Sequence, residues 1–573
     1  MQKANIRFPY GLSNLEKVAD ENLVFIDKTP FLPVLESTTS YAVFLRPRRI
    51  GKSLFVSILE YYYDILRKNK FDKIFGNYYI GKNPTPLANA YRVLKFDFSG
   101  IDTGTNESSF SGFITNIQNS LINFLKANGF YNESIESRLF VQNNPAELMN
   151  TFFAIYKGLT NDKIYLIIDE YDHFTNEILI RDLDEFKASV SSNGYIRKFY
   201  EAVKIATQAG IVDRFFITGV SPITLDSVTS GFNIVTHLTN EYDFHDMMGF
   251  TEAEVQSLVE MILENKNRLP QIMNDLKLHY NGYKFNKNKD HTIYNSDMVL
   301  FFLEKFKNTQ KYPDLMLDPN IMPDYGKLKK MFEMANWQDN IEVLETILKE
   351  NEIECSLIYQ FNFEKGFRRT EFVNFLYYLG NLTLKGVNEF DGTVFKIPNL
   401  VIAELYWEYY ANVLQKRADL DYEEDKVRPA VFALARGNEK PFFELVERNL
   451  EILSNRDFQR FDEKYIKLLI IAYAMQGNVF FIRSEREVGG NVGYVDIEFL
   501  IRPNNPTIHP QYVFEVKYLK KEDENLLEIT QAAAEKQLRN YLAKDEILQD
   551  LAKLKAFTMV VVKSKVYMKE IIY

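Results

Sequence analysis

The sequence holds one cysteine, Cys355, in 573 residues. An intramolecular disulfide and a cysteine-rich zinc site are thereby excluded, since both need several thiols. Cys355 itself is expected as a buried small apolar residue. The six histidines are scattered singly and leave little material for a His-based metal cluster. Long apolar runs are missing as well: LLIIAYAM at 468–475 falls far short of the roughly 20 residues that span a bilayer. The start, MQKANIRFPYGLSNLEKV, lacks the apolar stretch of a secretory signal. A soluble chain in a reducing, cytoplasmic setting, without membrane contact, is the expectation. Positive charge is also short, with 68 Lys+Arg against 78 Asp+Glu and a net charge of −10. That balance argues against a dedicated DNA-coating protein, though not against an enzyme with a local basic groove.

What is abundant is apolar and aromatic. Hydrophobic residues make up 46%, with 46 Phe and 35 Tyr, far too much for a disordered chain. The simplest use of these rings is core packing, and the series Tyr61, Tyr62 and Tyr63 stands out. No internal repeat or low-complexity segment is visible. At roughly 150 residues per domain the length suggests three or four domains.

The first half alternates apolar strand-like runs with helical stretches. YAVFL (41–45), VLKFDF (93–98), IYLIID (164–169) and RFFITGV (214–220) are the runs; 53–68 and 108–129 are helical. Buried strands separated by helices predict βαβ units and a mainly parallel sheet. From about 245 to 345 the pattern is helical, with a T-x-x-E capping signal opening 250–265. Between 368 and 412 the order helix, short strand, turn, strand, helix suggests a winged-helix module. From about 455 a helix (461–476), three strands, a long polar helix (about 524–548) and a strand (AFTMVVVKS) predict a separate α-β-β-β-α-β domain.

Two places carry chemistry. YAVFL runs into Arg46-Pro-Arg-Arg-Ile-Gly51-Lys52-Ser53 and a helix follows at once. Strand, loop and helix N-terminus form the context in which backbone N–H groups cradle phosphates. Lys52 would reach the β/γ-phosphates and Ser53 would ligate Mg²⁺. Arg46 stands where the ordinary pattern has its first Gly. Arg48 and Arg49 either neutralise phosphate charge or pair with acidic residues, and both readings are open. In IYLIIDE, Asp169 would hold Mg²⁺ through water and Glu170 would polarise the attacking water. Thr218, or Ser221 beyond it, at the tip of RFFITGV would sense the γ-phosphate.

The second place is near the C-terminus. In YVDIEFLI, Asp496 and Glu498 share one strand face, and in YVFEVKYL, Glu515 and Lys517 share another. Adjacent strands of this kind present Asp, Glu and Lys to one spot, which suits metal-assisted phosphodiester hydrolysis. Asp496 and Glu515 would coordinate Mg²⁺, Lys517 would steady or activate the nucleophile, and Glu463 would add a carboxylate. Gln537 and Tyr541, four apart on a helix, would orient the site or touch nucleic acid.

FIDKTPF (25–31), the RPRR-x-GKS loop, IIDEYD (167–172) and ITGVSPI (217–223) together resemble the AAA-ATPase-like family of bacterial proteins. TSGFNI (229–234), MMGFTEAEV (247–255) and YNGYKF (280–285) match its style. GYVDIEF and YVFEVKYL resemble the PD-(D/E)XK nuclease superfamily domain commonly fused to that ATPase. The resemblance implies an α/β fold with an AAA-like P-loop parallel-sheet domain and a restriction-endonuclease-like C-terminal α/β domain. It also implies ATP binding, and within that family Arg generally replaces the first P-loop Gly. The expected division is 1–245 P-loop domain, 246–345 helical lid-like region, 346–454 winged-helix-like and helical region, and 455–573 nuclease-like domain.

The leading expectation is an ATP-hydrolysing protein whose nucleotide state controls a Mg²⁺-dependent nuclease acting on DNA. The alternative is a non-cleaving, ATP-dependent switch that binds DNA or a partner protein. AAA-like ATPases often form rings, so a homo-oligomer is an open expectation.

Overall fold

The computed structural model describes the chain except for residues 1–5, 228–231, 322–328, 334–336, 360, 362–366, 391, 419–423, 455–461, 478, 489–492 and 503–509. Part of TSGFNI (229–231) and the expected boundary at 454/455 therefore touch residues outside the description. The chain forms two compact units: Met1–Gln310 with Leu317–Ile341 and Glu354–Asn399, and Lys311–Met316 with Glu342–Ile353 and Leu400–Tyr573. Among the described residues no helix is long and apolar enough to cross a membrane.

The first unit is built on a five-stranded sheet: β1 (Tyr41–Leu45), β2 (Arg92–Asp97), β3 (Ile164–Asp169), β4 (Val212–Gly219) and β5 (Thr236–His237). Their order is β2-β3-β4-β1-β5 and every pair is parallel. The mainly parallel sheet expected from the alternation is thus observed. β3 is buried along its whole length, as a strand covered on both faces must be. Helix Lys52–Tyr63 packs on β3 and helix Asn106–Ala127 on β2. The stretch expected as one helix over 53–68 stops at Tyr63. Asp64 takes an extended backbone there, and its side chain accepts from Leu66 N at 3.0 Å, which opens a new 3₁₀ turn. The three tyrosines are core residues: Tyr63 stacks on Tyr165 with centroids 4.4 Å apart, and Tyr61 donates to Glu16 at 2.7 Å. Thr251 and Glu254 form the expected capping box before helix Glu252–Ile262. Helix Arg369–Tyr378 leads into an antiparallel hairpin of β6 (Thr383–Val387) and β7 (Thr393–Lys396).

The second unit contains another five-stranded sheet. Its strands are β8 (Phe480–Val488), β9 (Gly493–Ile501), β10 (Gln511–Leu519), β11 (Leu554–Val562) and β12 (Lys565–Ile571). The spatial order is β12-β11-β10-β9-β8. Only β10 and β11 run parallel; the other neighbours are antiparallel. Helix Glu463–Met475 packs on β8, β9 and β10, and helix Leu527–Lys544 on β10 and β11. The long polar helix expected over 524–548 is broken at Asp545. The Asp545 side chain caps the short helix Glu546–Asp550 by accepting from Leu548 N at 3.0 Å. β12 follows AFTMVVV without having been expected, because its mixed, exposed pattern lacks clean alternation.

Candidate functional site

β1 delivers the chain into the loop 46–51, and helix Lys52–Tyr63 begins immediately. Gly51 sits at φ +92°, a left-handed conformation that a side chain strains to adopt. The loop borders a cavity of about 500 Å³, whose wall includes Arg48, Gly51, Lys52, Ser53, Asp97 and Glu170. That size suits a small organic ligand. Lys52 is buried, donates to Pro47 O at 3.1 Å and lies 3.8 Å from Glu170 Oε1.

β2 and β3 end side by side, with Asp97 in register with Asp169. Burial, then Glu170 and Asp97, pushes the Asp169 carboxyl up to about 6. Three carboxylates crowded at one strand edge beside Ser53 are a donor set that fits a hard divalent cation. Asp97 was missed from sequence because only the pairing of β2 with β3 makes it a neighbour of Asp169.

In the second unit, β9 and β10 bring the other set together. Lys517 Nζ lies 2.8 Å from Glu515 Oε1, 3.6 Å from Glu463 Oε1 and 3.7 Å from Asp496 Oδ2. Asp496 Oδ2 also accepts from Val516 N at 2.7 Å. Glu515 is fully buried, and apart from the Lys517 contact its oxygens accept no well-formed hydrogen bond among the described residues. Burial and the nearby Asp496 push its carboxyl well above the usual range. A buried carboxylate with unused acceptor capacity, beside two more, fits a magnesium-class cation. Burial pulls the Lys517 ammonium down, but Asp496 and Glu515 outweigh it and hold it above the ordinary lysine range.

Residues 9–229 match the family described as a predicted AAA-ATPase, AAA-ATPase-like. Residues 461–571 match the PD-(D/E)XK nuclease superfamily. The chain carries an AAA-ATPase-like domain and a PD-(D/E)XK nuclease superfamily domain. It is also similar to a protein of Azotobacter chroococcum mcd 1 described as an uncharacterized protein in the vnfD 5' region. That likeness is 22% identity over 306 residues, 52% of each chain. The chain thus spans about half the length of that curated relative.

In the AAA-ATPase-like domain, three expected residues are not on the cavity wall. Asp169 lies at the strand end, almost wholly buried, with Oδ1 accepting from Glu170 N at 3.0 Å. Thr218 spends its hydroxyl on Phe44 O at 2.8 Å, tying β4 to β1. The Arg46 side chain points into the protein. Its Nη1 donates to Leu45 O at 3.0 Å and Thr239 O at 2.7 Å, and Nη2 donates to Phe244 O at 3.0 Å. The guanidinium carbon sits 4.1 Å from the Phe44 ring centroid and 3.9 Å from that of Phe285. Burial lowers Arg46 to about 9, so it stays charged at neutral pH. Arg46 braces the loop from behind instead of reaching for phosphate. Restoring the ordinary glycine by Arg46→Gly would strand three carbonyls and empty the space between two rings. We expect it to cost about 3 kcal/mol or more, read as an earlier first transition in urea unfolding.

Arg49, which has a positive φ of 63°, pairs with Asp297 at 3.2 Å and approaches Asp318 at 4.0 Å. Of the two readings left open for this arginine, the acidic pairing is the one observed, although Arg49 also borders the cavity. IIDEYD and ITGVSPI meet through Asp172, which is fully buried and accepts from Val220 N at 3.0 Å, Ser221 N at 2.6 Å and Asn176 Nδ2 at 2.7 Å. A Cβ on Gly219 would come within 2.2 Å of Asp172 Oδ1, so the close approach needs glycine. Ser221 therefore serves the link between two strand ends. In FIDKTPF, Lys28 donates to Glu254 at 2.8 Å and to Asp246 O at 3.0 Å.

In the nuclease-superfamily domain, sequence reasoning missed Lys467. It is buried in helix Glu463–Met475 and lies 2.6 Å from Asp496 Oδ1 and 3.2 Å from Glu463 Oε1. Glu498, which shares a strand face with Asp496, is taken up by Arg486 at 2.7 Å, and Arg486 also holds Asp545 at 2.8 Å. Gln537 donates to the Tyr541 hydroxyl at 2.6 Å. Cys355 is buried, as expected.

Proposed function

We propose that the chain binds and hydrolyses ATP in its N-terminal domain and cleaves DNA phosphodiesters in its C-terminal domain. The carrying observation is the convergence of Glu463, Asp496, Glu515 and Lys517, three carboxylates with the Lys517 ammonium within 4 Å of each. In this reading Glu463, Asp496 and Glu515 would hold Mg²⁺. When bound, that ion lowers the pKa of its water and neutralises charge on the scissile phosphate. Lys517 keeps its proton between the carboxylates and orients the attacking water or the phosphate oxygen. Lys467 holds the Asp496 carboxylate in place.

At the N-terminal site, Lys52 and Ser53 face the triphosphate, Asp169 and Asp97 supply carboxylates for the accompanying Mg²⁺, and Glu170 accepts a proton from the attacking water. Arg46 acts as the brace of the loop, and Arg48 remains the arginine proposed to neutralise phosphate charge. The four-segment division of the chain, its cytoplasmic location and control of cleavage by ATP belong to the same proposal.

The test is cleavage of linear and circular DNA with Mg²⁺ or Mn²⁺, each with and without ATP. Metal-dependent cleavage that changes with ATP is the expected result. Protein that binds ATP and DNA but leaves every substrate intact would replace this reading by the non-cleaving switch.

A further inference from the structure

Two of the six histidines, far apart in sequence, meet in the first unit. His245 and Asp246 lie just before Met247, Met248 and Gly249, which border the cavity, and His291 precedes the bridge residues Ile293 and Tyr294. The ligating atoms of His245, Asp246 and His291 all lie within 4.8 Å of one another. His291 Nε2 is 2.7 Å from Asp246 Oδ1, and the two imidazole rings stand edge to face with centroids 5.2 Å apart. The little material expected from six scattered histidines is thus gathered, for two of them, beside one carboxylate.

His245 supplies a second, separate observation. Its side chain is completely buried, yet neither ring nitrogen has a hydrogen-bond partner among the described residues. Two unpaired polar atoms at that depth cost free energy that the fold does not recover from its own residues. The ring is instead aimed at a carboxylate and a second imidazole. His291 is nearly half exposed, so an ion has a way in from solvent.

We propose that His245, Asp246 and His291 form a site for a divalent transition-metal ion of the zinc class, with one coordination position left to water or an external ligand. Two imidazole nitrogens and one carboxylate oxygen are a recurrent donor set for such ions. The neighbours narrow the choice. Arg46 and Lys289 add positive charge near His245, whereas Asp246 offsets it. A hard ion such as Mg²⁺ gains its affinity from oxygen charge, of which only one carboxylate is present. An ion that bonds well to nitrogen overcomes the adjacent cations more readily. Once bound, it would tie the segment entering Met247–Gly249 to the one entering Ile293–Tyr294.

The test uses the full chain, stripped with chelator and titrated with ZnCl₂ in excess Mg²⁺ to occupy the carboxylate sites. Bound zinc is counted by elemental analysis, and Co²⁺ in place of zinc gives a visible spectrum. Wild type is expected to retain one zinc equivalent that Mg²⁺ does not displace. His291→Ala, at an exposed position, should weaken it by more than the roughly 10–100-fold that loss of an outer-shell partner costs. Asp246→Asn should weaken zinc binding and alter the Co²⁺ bands, with the far-ultraviolet circular dichroism of both variants unchanged. Wild type that holds no Mg²⁺-resistant zinc overturns the proposal, and so do variants that bind zinc as wild type does.

Discussion

Lys517→Ala is expected to lower metal-dependent DNA cleavage by about 10³-fold, at unchanged circular dichroism and ATP affinity. Its ammonium lies within 4 Å of Glu463, Asp496 and Glu515, so it touches all three carboxylates. Lys467 touches Glu463 and Asp496 but is buried and committed to Asp496 at 2.6 Å. Lys467 thus cannot take the place of Lys517 among the three carboxylates. Without Lys517, charge developing on a phosphate loses the ammonium set among the carboxylates, and water loses the group that orients it. Lys517 is a quarter exposed, so its removal should leave the domain folded. Lys517→Arg separates charge from geometry: the planar guanidinium keeps the charge but spreads its donors over a rigid fork, and should recover only a small part of the rate. Gel assays of linear DNA with Mn²⁺ would read all three proteins. Cleavage by Lys517→Ala at the wild-type rate would remove the residue, and the site built around it, from the proposal.

The readable parts of the fold are those carried by contiguous sequence. β1, the loop and helix Lys52–Tyr63 follow one another without a break, so the phosphate-loop context could be read directly. Period-2 alternation put Glu515 and Lys517 on one face of β10, and the same rule placed Asp496 on β9. Other residues depend on partners distant in sequence. Lys467 sits within YIKLLIIAYAM, where a single lysine reads as a side chain reaching out to solvent; it is buried because Asp496, from another element, neutralises it. Arg46 looked like a phosphate ligand because it stands in the loop. Its true partners, Thr239, Phe244 and Phe285, come from segments that no local pattern connects to it. β5 and β12 went unread because edge strands are short or charged, which blunts their alternation while protecting the sheet edge.

At the nucleotide site, Lys52 and Glu170 are expected to separate binding from turnover. Lys52→Ala removes a nearly buried ammonium that already faces the cavity and Glu170. A charge-assisted hydrogen bond is worth about 1.5–3 kcal/mol, so ATP affinity should fall roughly 10–100-fold, with hydrolysis lost alongside. Glu170→Gln leaves Lys52 and the loop intact and removes only the carboxylate proposed to polarise water. Binding should then be retained while phosphate release falls by about 10²–10⁴-fold. It should also ease the crowding that raises Asp169, since Glu170 is the largest charge acting on that residue. Titration with a fluorescent ATP analogue and a phosphate-release assay on the same preparations distinguish the two effects. Lys52→Ala that binds ATP as tightly as wild type would sink the phosphate-loop assignment. Glu170→Gln that hydrolyses normally would transfer the base role to another of the crowded carboxylates, with Asp97 next to be tested. The pair also tests control of the nuclease. If ATP regulates cleavage through occupancy, Glu170→Gln should hold the ATP-bound cleavage level, whereas Lys52→Ala should stay at the ATP-free level at nucleotide concentrations that saturate wild type.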